Sequence, residues 1–136
     1  MKITVHRGAN QIGGCVTEIA SGHSKILIDL GNNLPGSETA DFTKEEVVRL
    51  CEDVDAIFYT HYHSDHIGHV ADIPNNVKQY SGAEAKEILL CKFNVLSKHI
   101  DCQDTIDAIN RMECYHTNKS VSINGGEIKV TPYFVS

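Results

Sequence analysis

The chain has 136 residues, comfortable for one domain and tight for two. Hydrophobic residues make up 41% and charged residues 22%, so a packed core is expected and disorder is not. A net charge of −6 argues against broad, sequence-independent nucleic-acid binding, which needs clustered Lys and Arg, and no stretch is apolar for long enough to span a membrane.

The five cysteines, Cys15, Cys51, Cys91, Cys102 and Cys114, contain no C-x-x-C pair. An odd count without such a pair argues against a Cys-type zinc site and against a disulfide framework. Buried thiols in a reducing cytoplasm are the simpler reading.

Residues 2–6 are rich in β-branched side chains and read as a strand, not as a signal peptide. Gly8-Ala9-Asn10-Gln11-Ile12-Gly13-Gly14 is a loop by its glycines. It is read first as a turn between strands, and second as a loop beside a site offering backbone N–H groups to an anion. Residues 15–20 alternate as a strand, and Ser21-Gly22-His23-Ser24 is a polar turn. Residues 25–30 form a nearly continuous apolar strand, which implies burial on both faces. Asp29 near its end must be paired, hydrogen-bonded or near a metal, unless it caps a turn.

Pro35-Gly36 marks a loop over residues 32–41, and Thr43-Lys44-Glu45-Glu46 is a capping box. The helix it opens is expected to carry Val47, Val48, Leu50 and Cys51 inward. Residues 53–59 return as a strand, and strand–helix–strand is the mark of a layered α/β (α+β) domain.

Thr60-His61-Tyr62-His63-Ser64-Asp65-His66 follows that strand directly. Three imidazoles so close are costly in a core unless every ring nitrogen is satisfied, whereas a divalent metal uses neutral imidazole and carboxylate as ligands. His61 and His63 are two apart, so extended or turn backbone lets them converge on one ion. The end of a buried strand is also where loops gather around a ligand. The chain is then expected to turn at Asp65 into a short helix over 66–73, stopped by Pro74. His69 reads as a polar-face residue of that helix.

Residues 77–80 read as a strand, and Ser81-Gly82-Ala83-Glu84 as a second capping box. Its helix has Ala85, Ile88, Leu89, Phe93 and Leu96 on one face. Residues 104–112 form another helix, and His116 is taken as a surface residue. Asn124-Gly125 is a strong hairpin signal within 120–130, and 131–135 looks strand-like.

The pattern His61-x-His63-x-Asp65-His66, with Ile26-Leu27-Ile28-Asp29-Leu30-Gly31 upstream, resembles the metallo-β-lactamase superfamily. The opening His6-Arg7-Gly8-x-Asn10-Gln11-Ile12-Gly13-Gly14 is more similar to ribonuclease J and the β-CASP-related hydrolases. The resemblance implies an αββα sandwich, with mostly antiparallel or mixed sheets and flanking helices, and a two-metal site at the sheet edge. His61 and His63 would bind the first metal, Asp65 and His66 the second, and Asp29 would orient them. Two divalent ions are implied, zinc first, with manganese or iron as alternatives.

The family completes both ions with ligands that come later, and Ser136 falls about where the next of them would stand. The 136 residues are therefore expected to form a single domain corresponding to the N-terminal half of the family domain, with weak metal occupancy by themselves. The implied activity is hydrolysis by metal-activated water, with Asp65 also orienting the nucleophile, on phosphodiesters such as RNA. The competing reading is a non-catalytic fragment or self-associating module, a homodimer through exposed sheet edges.

Overall fold

The computed structural model describes residues 1–134. Six strands form one mixed sheet in chain order: β1 (Lys2–Arg7), β2 (Val16–Ser21), β3 (Ser24–Ile28), β4 (Ala56–Phe58), β5 (Lys78–Gly82) and β6 (Glu113–Tyr115). The pairs β1/β2 and β2/β3 are antiparallel, and β3 to β6 run parallel. Connection length explains the switch. Only Gly22 and His23 separate β2 from β3, with Gly22 at φ +60°, so the chain must reverse. The parallel strands are joined by longer crossovers. These carry α1 (Lys44–Leu50), then α2 (Ser64–Ile67) with a 3₁₀ turn (Val70–Asp72), then α3 (Ala83–Leu96) and α4 (Gln103–Arg111). A hairpin of β7 (Val121–Ile123) and β8 (Ile128–Val130) makes a second sheet.

The central strands are apolar on both faces because alternate residues serve different cores. Leu27, Ile57 and Tyr59 enter a core shared with Val47 of α1, Leu89 of α3, and Ala108 and Ile109 of α4. Ile26, Ala56 and Phe58 point the other way and meet Ile123 and Ile128 of the hairpin. Helices, a six-stranded sheet and a two-stranded sheet thus stack in layers, the mixed α/β architecture expected from the sequence.

Local expectations divide. The Thr43 capping box forms: the Glu46 N–H donates to the Thr43 hydroxyl at 3.2 Å, and the Thr43 N–H donates to the Glu46 carboxylate at 2.8 Å. Val47 and Cys51 are buried as expected, but Val48 is exposed. The second box does not form. Ser81 is an inner residue of β5, opposite Cys114, so strand pairing claims it, and Gly82 caps α3 without a side-chain bond. On α3, Leu89 is buried and Ile88 is exposed.

The single helix expected over 66–73 is broken at Gly68. The Asp65 carbonyl, which would accept from the His69 N–H in a helix, accepts from Cys15 instead, and the His69 N–H turns to Leu30 at 3.2 Å. The Asn32 side chain also fills the space where a Cβ on Gly68 would stand. The Asn124-Gly125 hairpin forms, with a longer connection than two residues, since Ile123 pairs with Ile128. Residues 131–134 are not strand, and the Pro132 carbonyl accepts from the Asn118 N–H. Val135, in the strand expected there, lies outside the described residues. Strand β6 went unread in the sequence, where Glu113-Cys114-Tyr115 gives only three residues of pattern.

Candidate metal centre

The motif occupies the loop after β4, at the carboxyl edge of the parallel strands, and α2 turns it back over residues 29–32. Two backbone bonds fasten the two segments, Leu30 N–H to His66 at 2.8 Å and Asn32 N–H to Ser64 at 2.9 Å, and a third, Cys15 N–H to Asp65 at 3.1 Å, ties the motif to the residue before β2. The approach is so close that any Cβ on Gly31 would collide with the Asp65 backbone. The glycine loop also reaches the site, since a Cβ on Gly13 would stand 3.1 Å from the Asp65 Cβ.

Asp29 is 4% exposed and takes φ +60°, a conformation Asp tolerates better than most residues. The turn aims its carboxylate at the motif. It accepts from the Thr60 N–H at 2.7 Å, from the Thr60 hydroxyl at 2.8 Å and from His66 Nδ1 at 2.8 Å. The carboxylate only accepts, so His66 carries a hydrogen on Nδ1, and in the neutral ring Nε2 is the nitrogen left with a lone pair. The Thr60 hydroxyl spends its one hydrogen on Asp29, so at 3.0 Å from His61 Nδ1 it must accept. His61 is thereby also protonated on Nδ1 with Nε2 free. One carboxylate and one hydroxyl set two histidine tautomers.

The His61 and His66 ring centroids lie 4.0 Å apart, and His63 stands edge-on to His61 at 4.7 Å. The Asp65 carboxylate is 3.5 Å from His66 Nε2. Burial, reinforced by the neighbouring His66 and His63, lowers the His61 pKa against the pull of Asp29 and Asp65, which favours the neutral ligand form. Burial first, then Asp29 and Asp65, raises the Cys15 thiol, which keeps it protonated beside the site.

The structure thus brings His61, His63, Asp65, His66 and Asp29 together. The donor chemistry fits a divalent cation, with imidazole nitrogens held in the ligand tautomer by oxygen partners behind them. Among the described residues, no three His, Cys, Asp or Glu side chains take up a metal-holding arrangement. His116 is exposed in the wall of an adjoining cleft. Sequence reading missed Thr60, whose hydroxyl has no periodic signature, and placed His69 on a polar face although it is 6% exposed.

The cleft, of about 770 Å³, opens from Thr60 and His61 and runs between the start of α3 and the end of β8. Tyr62, Ile88, Tyr115 and Tyr133 are among its walls; among the described residues that line it there is no Lys or Arg and one side-chain carboxylate, Glu84. No described helix is long and apolar enough to cross a membrane.

No curated protein matches the chain. Among solved structures, a protein of unknown function from Enterococcus faecalis V583 aligns over 90% of this chain and 35% of its own, at 20% identity and TM-score 0.63. The dizinc quorum-quenching lactonase AidC aligns over 79% of this chain and 44% of its own, at 22% identity and TM-score 0.54. MEM-A1, a subclass B3 metallo-β-lactamase from a soil metagenome library, aligns over 82% and 43%, at 17% identity and TM-score 0.52. The chain therefore spans less than half the length of these proteins, and the likeness is one of fold. The model of the metallo-beta-lactamase superfamily matches residues 14–96, from the glycine loop through α3, taking in Asp29 and the whole histidine motif. The chain belongs to the metallo-β-lactamase superfamily.

Proposed function

We propose that these residues are the N-terminal part of a divalent-metal-dependent hydrolase, in which His61, His63, Asp65 and His66 contribute ligands for two ions. The observation that carries the reading is the paired tautomers: Asp29 and Thr60 leave the Nε2 lone pairs of His66 and His61 free on adjacent rings. Zinc suits these donors first, with manganese or iron as alternatives. A bound divalent ion supplies Lewis-acid polarisation and acidifies water toward a pKa of ~7. The chain's own part is orientation. Asp29 holds His66 and Thr60, Thr60 holds His61, and Asp65 is the group assigned to orient the attacking water.

The substrate class we assign is the phosphodiester of an RNA-type polymer. Two features support it. The opening motif from His6 to Gly14 is similar to that of ribonuclease J and the β-CASP-related hydrolases, and its glycine loop lies against Asp65. The cleft beside His61 is lined by Tyr62 and Tyr133, aromatic side chains of the kind on which bases stack with little regard to sequence. Five free thiols support a cytoplasmic setting.

The test uses the native protein that carries these residues, supplied with zinc or manganese. Hydrolysis of single-stranded RNA is compared with that of a β-lactam and a homoserine lactone. The expected result is chelator-sensitive RNA cleavage that His61→Ala lowers by at least ~10³-fold. Cleavage that survives His61→Ala sinks the metal assignment, and turnover of the lactam or lactone without RNA cleavage sinks the substrate class.

A further inference from the structure

A second set of charged side chains converges on residues 29–32. Arg7, at the end of β1, is almost buried, with its side chain 8% exposed. Its guanidinium donates to the Gly14 carbonyl at 2.8 Å, to the Gly31 carbonyl, and to Asp41 at 3.0 Å, and it lies 4.0 Å over the Phe42 ring. Asp41 also accepts from the backbone N–H groups of Asn33 at 3.1 Å and Phe42 at 3.0 Å. Burial raises the Asp41 pKa, but the bonds from His69, Asn33 and Phe42 outweigh it and hold the carboxyl below its ordinary range.

His69 completes the set. Its Nε2 is 3.2 Å from Asp41 Oδ1, its Nδ1 is 3.1 Å from Asp72 Oδ2, and its side chain is 7% exposed. Two carboxylates therefore face the two nitrogens of one buried ring. A carboxylate can only accept, so both bonds exist together only when both nitrogens carry hydrogen. A neutral imidazole leaves one buried nitrogen lone pair against a carboxylate. With the ring doubly protonated, Arg7 and His69 balance Asp41 and Asp72, and no member of the group is left without a counter-charge.

The clasp bears on the metal centre through the backbone. The His69 N–H donates to Leu30, and Arg7 to Gly31. Leu30 in turn donates to His66, Asn32 donates to Ser64, and Gly31 abuts Asp65. Residues 29–32 are thus held both by the clasp and by the motif.

We infer that His69 is a positioning residue of the site: a buried imidazolium, held between Asp41 and Asp72, that fixes residues 29–32 and through them Asp65 and His66. The link to metal binding rests on the function proposed above; the clasp itself does not. Asp41, Asp72 and, through Asp41, Arg7 are the charged groups that face the ring.

The test has two parts on the whole chain. Long-range proton–nitrogen NMR at about pH 7 reads the His69 ring directly. Hydrogen on both nitrogens is expected, and a single neutral tautomer overturns the proposal. Amide exchange is then compared with that of His69→Gln, which has one donor group and no charge, and of Asp72→Asn, which keeps the shape of the partner. Exchange at Cys15, Leu30 and Asn32 is expected to quicken at least tenfold in either variant, with Ile57 in the central strand unchanged. Equal quickening at Ile57 overturns the positioning role, because general loosening touches every amide alike. Zinc affinity of the same variants should fall roughly 10–100-fold. If the native protein that carries these residues binds no zinc while the exchange result holds, the clasp stands and the metal reading fails.

Discussion

Asp29 shows how much a single side chain organises here. Its carboxylate receives the Thr60 N–H, the Thr60 hydroxyl and His66 Nδ1 in a nearly dry setting. Asp29→Ala leaves those donors without an acceptor and puts a less tolerant residue at φ +60°. A loss of about 2–4 kcal/mol in urea-unfolding stability is expected. An unchanged midpoint would show that the network contributes nothing to the fold. That Asp29 needed a partner was legible in the sequence, because a carboxylate beside a continuous apolar strand has nowhere else to go. The environment of His69 was not. Its partner Asp41 lies 28 residues away in a loop, and no periodicity connects the two.

At the scale of elements, the two capping boxes have the same sequence pattern and opposite outcomes. Thr43 precedes a helix after an irregular loop, so its hydroxyl is free to cap. Ser81 is already committed to the ladder between β5 and β6, and a buried strand residue cannot also serve as a helix cap. Local motifs were decided by tertiary pairing, which a window of four residues does not contain. Thr43→Ala should destabilise the chain by about 1 kcal/mol, read as a lower thermal midpoint. No shift would mean that α1 is held by Val47 packing alone. The broken helix after His66 teaches the same lesson: the run up to Pro74 reads as one helix, but the Asp65 and His66 carbonyls accept from Cys15 and Leu30 instead.

For the whole molecule, the layered α/β architecture was readable because β3 and β4 are apolar on both faces, which requires cover on both. The switch from antiparallel to parallel pairing was encoded in connection length. The charged clasp behind the site and the cleft beside His61 were not readable, since both join segments distant in sequence. Under the proposed function, His61, His63 and His66 serve one metal site, with His61 and His66 oriented by Thr60 and Asp29. The most direct measurement is a zinc titration of the native protein that carries these residues, followed through the histidine ring signals by proton–nitrogen NMR. The Nε2 signals of His61, His63 and His66 should shift together, while His23, with its side chain 98% exposed, and the exposed His116 stay in place. Zinc that moves His23 and His116 as readily as the motif rings, or that moves none of the three, would contradict the account.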